Sequence, residues 1–264
     1  MSTTPPSSSE HSRQLIEILD HPLIAQRYFF PQKSMLKNPV YVHATHARLG
    51  CWRSAPPKRG PVLVYFHGNG EVVSDWVDVF PPLCQPVGFE VFLAEYRGYG
   101  MSSGQPALYS MLNDLEQIAQ AIGVPTSRIV VFGRSVGSIY ALEWVSRFPD
   151  TMGLVIESGI HDVYQRLRLR VEPDELGCTE HLFREAVDTH FNHQSKLSAY
   201  QGPSLFMHAQ RDTLVTVEHA HANVAAARKG QLKVFARGGH NDILMANTQD
   251  YVNTLRSFLT TLRK

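Results

Sequence analysis

Six short apolar runs, each the length of one strand and too short for a helix, constrain the fold of this chain more than any other feature. Val62-Leu63-Val64-Tyr65-Phe66 is the first, and Phe89 to Ala94, Ile129-Val130-Val131-Phe132, Leu154-Val155-Ile156, Leu205-Phe206-Met207 and Leu232 to Phe235 repeat it. A strand that is apolar without alternation has both faces covered, which is the situation of a strand inside a parallel sheet. Between the runs, apolar residues recur at helical spacing. Leu108, Met111, Leu112, Leu115, Ile118, Ala119 and Ile122 form one stripe, and Tyr251, Leu255, Phe258, Leu259 and Leu262 form another. Strands alternating with helices predict an α/β fold with a mostly parallel, doubly wound sheet and helices on both faces.

Three segments stand outside that alternation. Val40 to Trp52 mixes β-branched and aromatic residues with polar ones and reads as an antiparallel hairpin or edge strands. Leu15 to Phe30 gathers apolar residues ahead of Pro31 and predicts a short helix packed on the domain. The connection from the strand ending near Glu157 to the one beginning near Ser204 is far longer than the usual loop of about 2 to 6 residues. Within it Leu182, Phe183, Ala186, Val187 and Phe191 suggest a helix. Residues at about 158–202 are therefore expected to form a small helical cap over the C-terminal edge of the sheet, where ligands bind in open α/β sheets.

At 264 residues the chain has room for one domain with such an insertion, expected over 15–264. A formal charge of +1 gives no electrostatic reason for a nucleic-acid partner. No apolar run approaches the roughly 18 to 20 residues that span a bilayer. Cys51, Cys84 and Cys178 are odd in number and widely spaced, so neither a zinc site nor a disulfide framework is predicted, and a reducing cytoplasmic compartment is expected. No His, Asp or Glu cluster has metal-ligand spacing, so chemistry without metal or cofactor is expected. Residues 1–14 open Ser-, Thr- and Pro-rich, lack the apolar centre of a secretory signal, and are expected to be a disordered leader.

The chemistry is carried by three loops. Gly133-Arg134-Ser135-Val136-Gly137 is a G-x-S-x-G following a buried strand and preceding a helix-like run, Ser138 to Phe148. That context lifts Ser135 above the sheet at a helix N-terminus, where developing negative charge is favoured. Phe66-His67-Gly68-Asn69-Gly70 ends another buried strand. Acyl transfer needs N–H donors aimed at an oxyanion, and the candidates are the amides of Val136 and Asn69, with Gly70 next. His67 is expected to pack or hydrogen-bond beneath that loop.

Serine at neutral pH needs an imidazole to take its proton, and the imidazole needs a carboxylate to orient it. His240, behind two glycines after the last strand, is the expected base, and Asp212, after Leu205-Phe206-Met207, the expected acid. Glu157, at the end of the preceding strand, is the other candidate acid. His219 and His221 do not share a helix face. Arg166, Arg168 and Arg170 alternate within the insertion and read as a solvated surface, the competing reading being contact with an acidic substrate group.

Together these residues resemble the alpha/beta-hydrolase superfamily, from about Val40 to Leu262. Phe66-His67-Gly68-Asn69-Gly70, Tyr96-Arg97-Gly98-Tyr99-Gly100-Met101-Ser102, Gly133-Arg134-Ser135-Val136-Gly137-Ser138 and Gly239-His240-Asn241-Asp242 are similar to its branch of intracellular acyl hydrolases. That branch includes depalmitoylating thioesterases and serine-aminopeptidase-like proteins. Relatives carry Asp where this chain has Glu95. The cysteine cluster that anchors depalmitoylases to membranes has no counterpart near residue 1, which speaks against membrane attachment and protein depalmitoylation. The resemblance implies a serine hydrolase acting on a small-molecule acyl ester or thioester. A peptidase or amidase with the same residues, and a ligand-binding protein that keeps only the fold, are the competing readings.

Overall fold

The computed structural model describes residues 7–54 and 60–263. Its eight strands are β1 (Val40–Ala44), β2 (Ala47–Arg53), β3 (Val62–Phe66), β4 (Glu90–Ala94), β5 (Ile129–Arg134), β6 (Gly153–Glu157), β7 (Ser204–Ala209) and β8 (Gly230–Phe235). They form one sheet in the order β1-β2-β4-β3-β5-β6-β7-β8. β1 and β2 pair antiparallel, and β2 meets β4 antiparallel. From β4 to β8 every pairing is parallel.

The uninterrupted run of β3 has a direct structural cause, whereas β8, at the sheet edge and broken by Lys233, is only half-buried along most of its length. Val62, Val64 and Phe66 of β3 enter the core on one face with Val131, Ile156 and Phe206. Leu63 and Tyr65 enter the core on the other with Phe132, Val155 and Met207. Every residue of β3 is therefore buried, and each such side chain contributes about 1.5–3 kcal/mol relative to exposure. One face is covered by helices including α4 (Asp114–Ile122) and α5 (Gly137–Arg147), and the other by α3 (Phe80–Cys84) and α11 (Thr248–Thr261). The remaining helices are α1 (Ser8–Leu19), α2 (Pro22–Tyr28), α6 (Val163–Arg168), α7 (Glu180–Phe191), α8 (His193–Ala199), α9 (Val217–Ala226) and α10 (Ile243–Ala246). Among the described residues, no helix is long and apolar enough to cross a membrane.

Three local expectations differ from what is observed. The leader expected over 1–14 gives way at Ser8 to α1, because Ser7 and Glu10 form a capping box that satisfies the first free amides; residues 1–6 lie outside the described residues. The single helix expected between Leu15 and Phe30 is two, α1 and α2, with Pro22 opening the second. The stripe from Leu108 starts its α-helix only at Asp114, after a 3₁₀ turn at Ser110–Asn113. There the Asp114 carboxylate is committed to Arg97 by two bonds of 2.7 and 2.6 Å.

The segment between β6 and β7 holds three helices rather than one. α7 packs on α1, α6 packs on α7, and α8 packs on α5 and α9. His193, at the start of α8, is buried, and its Nδ1 lies 2.8 Å from the Ile160 carbonyl. Burial, with the charge of Lys196 behind it, pushes its pKa down to about 3. The unfolded chain then binds a proton below its ordinary value of 6.5 that the folded chain refuses down to about 3. Stability therefore falls as pH falls, by about 1.4 kcal/mol per pH unit inside that window. Urea unfolding of the wild type and His193→Gln between neutral and acid pH is expected to show this extra slope in the wild type alone. Parallel pH profiles would remove His193 as its source.

Candidate active site

The loops after β3, β5, β7 and β8 leave the same edge of the sheet, and this common exit brings Asn69, Ser135, Asp212 and His240 together. Ser135 sits between β5 and α5 at φ 52°, in the left-handed region that an L-residue enters only under strain. The turn is tight enough to exclude side chains on either side of it. A Cβ on Gly133 would meet the Gly137 carbonyl oxygen at 2.5 Å, and one on Gly137 would meet the Phe66 carbonyl oxygen at 2.1 Å. The Ser135 amide donates to the Glu157 carbonyl at 2.9 Å, and its carbonyl accepts from the Ser138 hydroxyl at 2.6 Å. The strained conformation is held from both ends.

His240 Nε2 lies 2.8 Å from Ser135 Oγ, and His240 Nδ1 lies 2.7 Å from Asp212 Oδ2. A carboxylate only accepts, so Nδ1 carries the ring proton and Nε2 presents its lone pair to the serine hydroxyl. Asp212 is itself fixed, its Oδ1 accepting from the Leu214 and Val215 amides at 2.9 Å each. Burial alone raises its pKa, but hydrogen bonds from His208 and His240 outweigh burial and hold it well below the usual carboxylate range. It therefore stays ionised beside the imidazole.

Glu157 is spent elsewhere. Its carboxylate accepts from Arg134 Nε at 3.0 Å and from the Tyr251 hydroxyl. Burial raises its pKa, with Arg134 opposing. Of the two acids open on sequence grounds, Asp212 is the one bonded to His240.

Arg134, the variable residue of the G-x-S-x-G, is a connection that spacing does not reveal. Besides Glu157, its guanidinium donates to Glu71 and, through Nη2, to the His240 carbonyl at 2.8 Å. Glu71 in turn accepts from the Gly68 amide at 2.8 Å. One buried cation thus ties the His240 loop to the loop of Asn69.

Below that loop His67 is fully buried, with Nε2 2.6 Å from Glu95 and Nδ1 2.8 Å from the Gly68 carbonyl. Glu95 also accepts from the amides of Val73 and Tyr96, at 3.0 and 3.1 Å. The Glu in place of Asp thus reaches three donors at the base of the loop. Asn69 uses its side chain to hold the N-terminal segment: its Oδ1 accepts from the Phe30 amide and the Tyr99 hydroxyl, and its Nδ2 donates to the Tyr28 carbonyl. Among the described residues, the backbone amides of Asn69 and Val136 have no acceptor.

These groups line a cleft of about 190 Å³ whose walls include Tyr28, Phe30, Ile160, Leu214, Ser135 and His240. Asn69 and Val136 line it too, whereas Gly70 does not. Tyr28 and Phe30 reach it from more than a hundred residues away in sequence, a long-range placement with no local signal. The three arginines of the insertion part company here. Arg168 pairs with Glu172 and Glu180, while Arg166 and Arg170 line the cleft. Arg170 is exposed and Arg166 half-buried, so both keep a solvated side while their spacing of four residues also sets them on the cleft. His219 is half-buried, its Nδ1 accepting from the His161 amide at 3.0 Å, and His221 is exposed.

Comparison with known proteins agrees with the fold. Residues 61–166 match the family model described as the alpha/beta hydrolase fold. Esterase Pf2001 of Pyrococcus furiosus superposes with a TM-score of 0.68 at 17% identity, covering 88% of this chain and 98% of that one. Est1E of Butyrivibrio proteoclasticus, solved with ferulic acid bound, also gives 0.68, at 15% identity over 85% of this chain and 97% of that one. The chain has the alpha/beta-hydrolase fold. It is similar to alpha/beta hydrolase domain-containing protein 17C of Mus musculus, 26% identical over 220 residues and 81% of this chain. It spans 64% of that relative's length.

Proposed function

We propose that the chain hydrolyses carboxylic esters or thioesters through an acyl-enzyme on Ser135. The observation that carries this reading is the unbroken hydrogen-bonded path from Asp212 through His240 to Ser135 on the wall of a cleft. His240 takes the Ser135 proton at Nε2 as Oγ attacks the carbonyl carbon, and Asp212 stabilises the imidazolium. Negative charge moves to the carbonyl oxygen. The unengaged amides of Val136 and Asn69, with the N-terminus of α5 behind the first, are positioned to receive it, each worth roughly 10²–10³ in rate. Gly70, outside the cleft lining, is not needed for that role. His240 then protonates the departing alkoxide or thiolate, which breaks the bond to the acyl carbon. In the second half it takes a proton from water as the water oxygen attacks the acyl carbon. It then gives that proton to Ser135 Oγ as the acyl–Oγ bond breaks, which releases the acid and restores the serine. The segment over 158–202 is read as a cap whose α6 walls the cleft.

A fluorophosphonate probe followed by mass spectrometry tests the nucleophile. Ser135 is expected to be modified in the wild type and unmodified in His240→Ala. A folded, monodisperse sample that takes no label would overturn the reading.

A further inference from the structure

Four arginines stand in or beside the cleft, and two of them are neutralised. Arg134 has Glu71 and Glu157, and Arg27, behind the N-terminal wall, has Glu175 at 2.7 Å. Arg168 has its two glutamates on the far side of α6. Arg166 and Arg170 have no carboxylate partner among the described residues, although acidic side chains surround their neighbours. Arg166 spends one nitrogen on the Leu214 carbonyl at 2.7 Å. Its Nε is buried without any hydrogen-bond partner. Among the described residues the Arg170 guanidinium makes no hydrogen bond, and it lies over the Phe30 ring, 5.7 Å from its centre.

The charges of both act on the same place. Burial raises the Tyr28 hydroxyl to about 12, and Arg166 and Arg170 are the two charges that oppose it. Arg166 also depresses His219, after burial. Two unpaired guanidiniums on one wall repel each other and leave donors unused, a cost that a bound anion removes. The bond to the Leu214 carbonyl holds Arg166 with its Nε still free to donate, and Arg170 rests exposed beside the Phe30 ring with its planar fork open to an oxyanion. The rest of that wall, Ile160, Leu214 and Val215, is apolar.

We propose that Arg166 and Arg170, with the Tyr28 hydroxyl, form an anion subsite, and that the substrate is an ester or thioester carrying a carboxylate or phosphate a few bonds from the reacting carbonyl. This deepens the hydrolase reading of Ser135 and rests on it. Spacing places Arg166 and Arg170 four residues apart, on the face of α6 and its last turn that meets the cleft, with Arg168 turned away.

Two matched ester pairs test it. Monomethyl glutarate against methyl pentanoate places the anion on the acyl side, and butyrylglycerol phosphate against butyrylglycerol places it on the alcohol side. In one pair the wild type is expected to favour the anionic member in kcat/KM by about tenfold. Arg170→Gln is expected to remove most of that ratio, Arg170→Glu to invert it, and Arg170→Lys to keep part of it. Neutral esters turned over with no anionic preference in either pair, or a preference that survives Arg170→Glu, would overturn the subsite and leave the hydrolase reading standing. No turnover of any of the four, together with no fluorophosphonate adduct, would overturn both.

Discussion

Ser135→Ala is expected to lower kcat for a nitrophenyl ester by about 10⁴-fold or more while the circular dichroism spectrum is unchanged. The hydroxyl lies 2.8 Å from His240 Nε2, and an alanine there has nothing to deprotonate. His240→Ala is expected to cost about as much, and the double substitution no more than either single one, because the two residues act as one unit. Rates that fell by the product of the single effects would show that each acts alone. What survives is catalysis by the oxyanion donors and by binding, which comparable sites retain at about 10³-fold over water.

The same position allows a stability test independent of turnover. Alanine keeps the Cβ and hence the strain of φ 52°, whereas glycine enters that region freely. Elsewhere in ordered structure, Ala→Gly loses about 0.5–1 kcal/mol. Here Ser135→Gly is expected to unfold at a urea concentration no lower than Ser135→Ala. A normal glycine penalty would mean that the turn is not strained.

Much of the sheet was legible because burial on both faces leaves an unambiguous mark. Val62 to Phe66 reads as a strand since no position in it faces water. The chain order of Ser135, Asp212 and His240 was legible for a related reason, as each follows such a run. That order favoured Asp212 but left Glu157 open, because both follow buried strands and what separates them is Arg134, which engages Glu157 from the position a motif leaves blank. The solvated reading of Arg166, Arg168 and Arg170 did not show that two of them, four residues apart, also line the cleft. The start of α1 was overlooked although Ser7 and Glu10 already form the Ser-x-x-Glu of a capping box. The Ser- and Pro-rich composition ahead of it masked that signal. No local pattern announces that Asn69 grips the backbone of Tyr28 and Phe30.

Arg134→Met is expected to be the most destabilising single change at the site, at about 3–5 kcal/mol, because it leaves Glu157 and Glu71 without their shared cation. The sign of its pH dependence follows from Glu157, whose pKa burial already raises. Removing Arg134 raises it further. The folded variant then binds a proton that the unfolded chain has lost, so its stability falls as pH rises through that pKa. The deficit should be widest at neutral and alkaline pH and should narrow towards acid. Arg134→Met/Glu157→Gln should recover part of it.

Stability alone does not separate support of the fold from positioning of the base, and Arg134→Lys does. Lysine keeps the charge but lacks the fork that reaches Glu157, Glu71 and the His240 carbonyl together. With the carbonyl released, His240 loses part of its alignment on Ser135, and misalignment of this kind costs up to about 10²-fold. Since that alignment matters to bond formation more than to binding, kcat is expected to fall by about 10- to 100-fold with KM nearly unchanged. Fluorophosphonate labelling of Ser135 should slow by a similar factor, because it draws on the same proton transfer. An Arg134→Lys protein with wild-type kcat would show that Arg134 braces the core and that His240 finds its place without it.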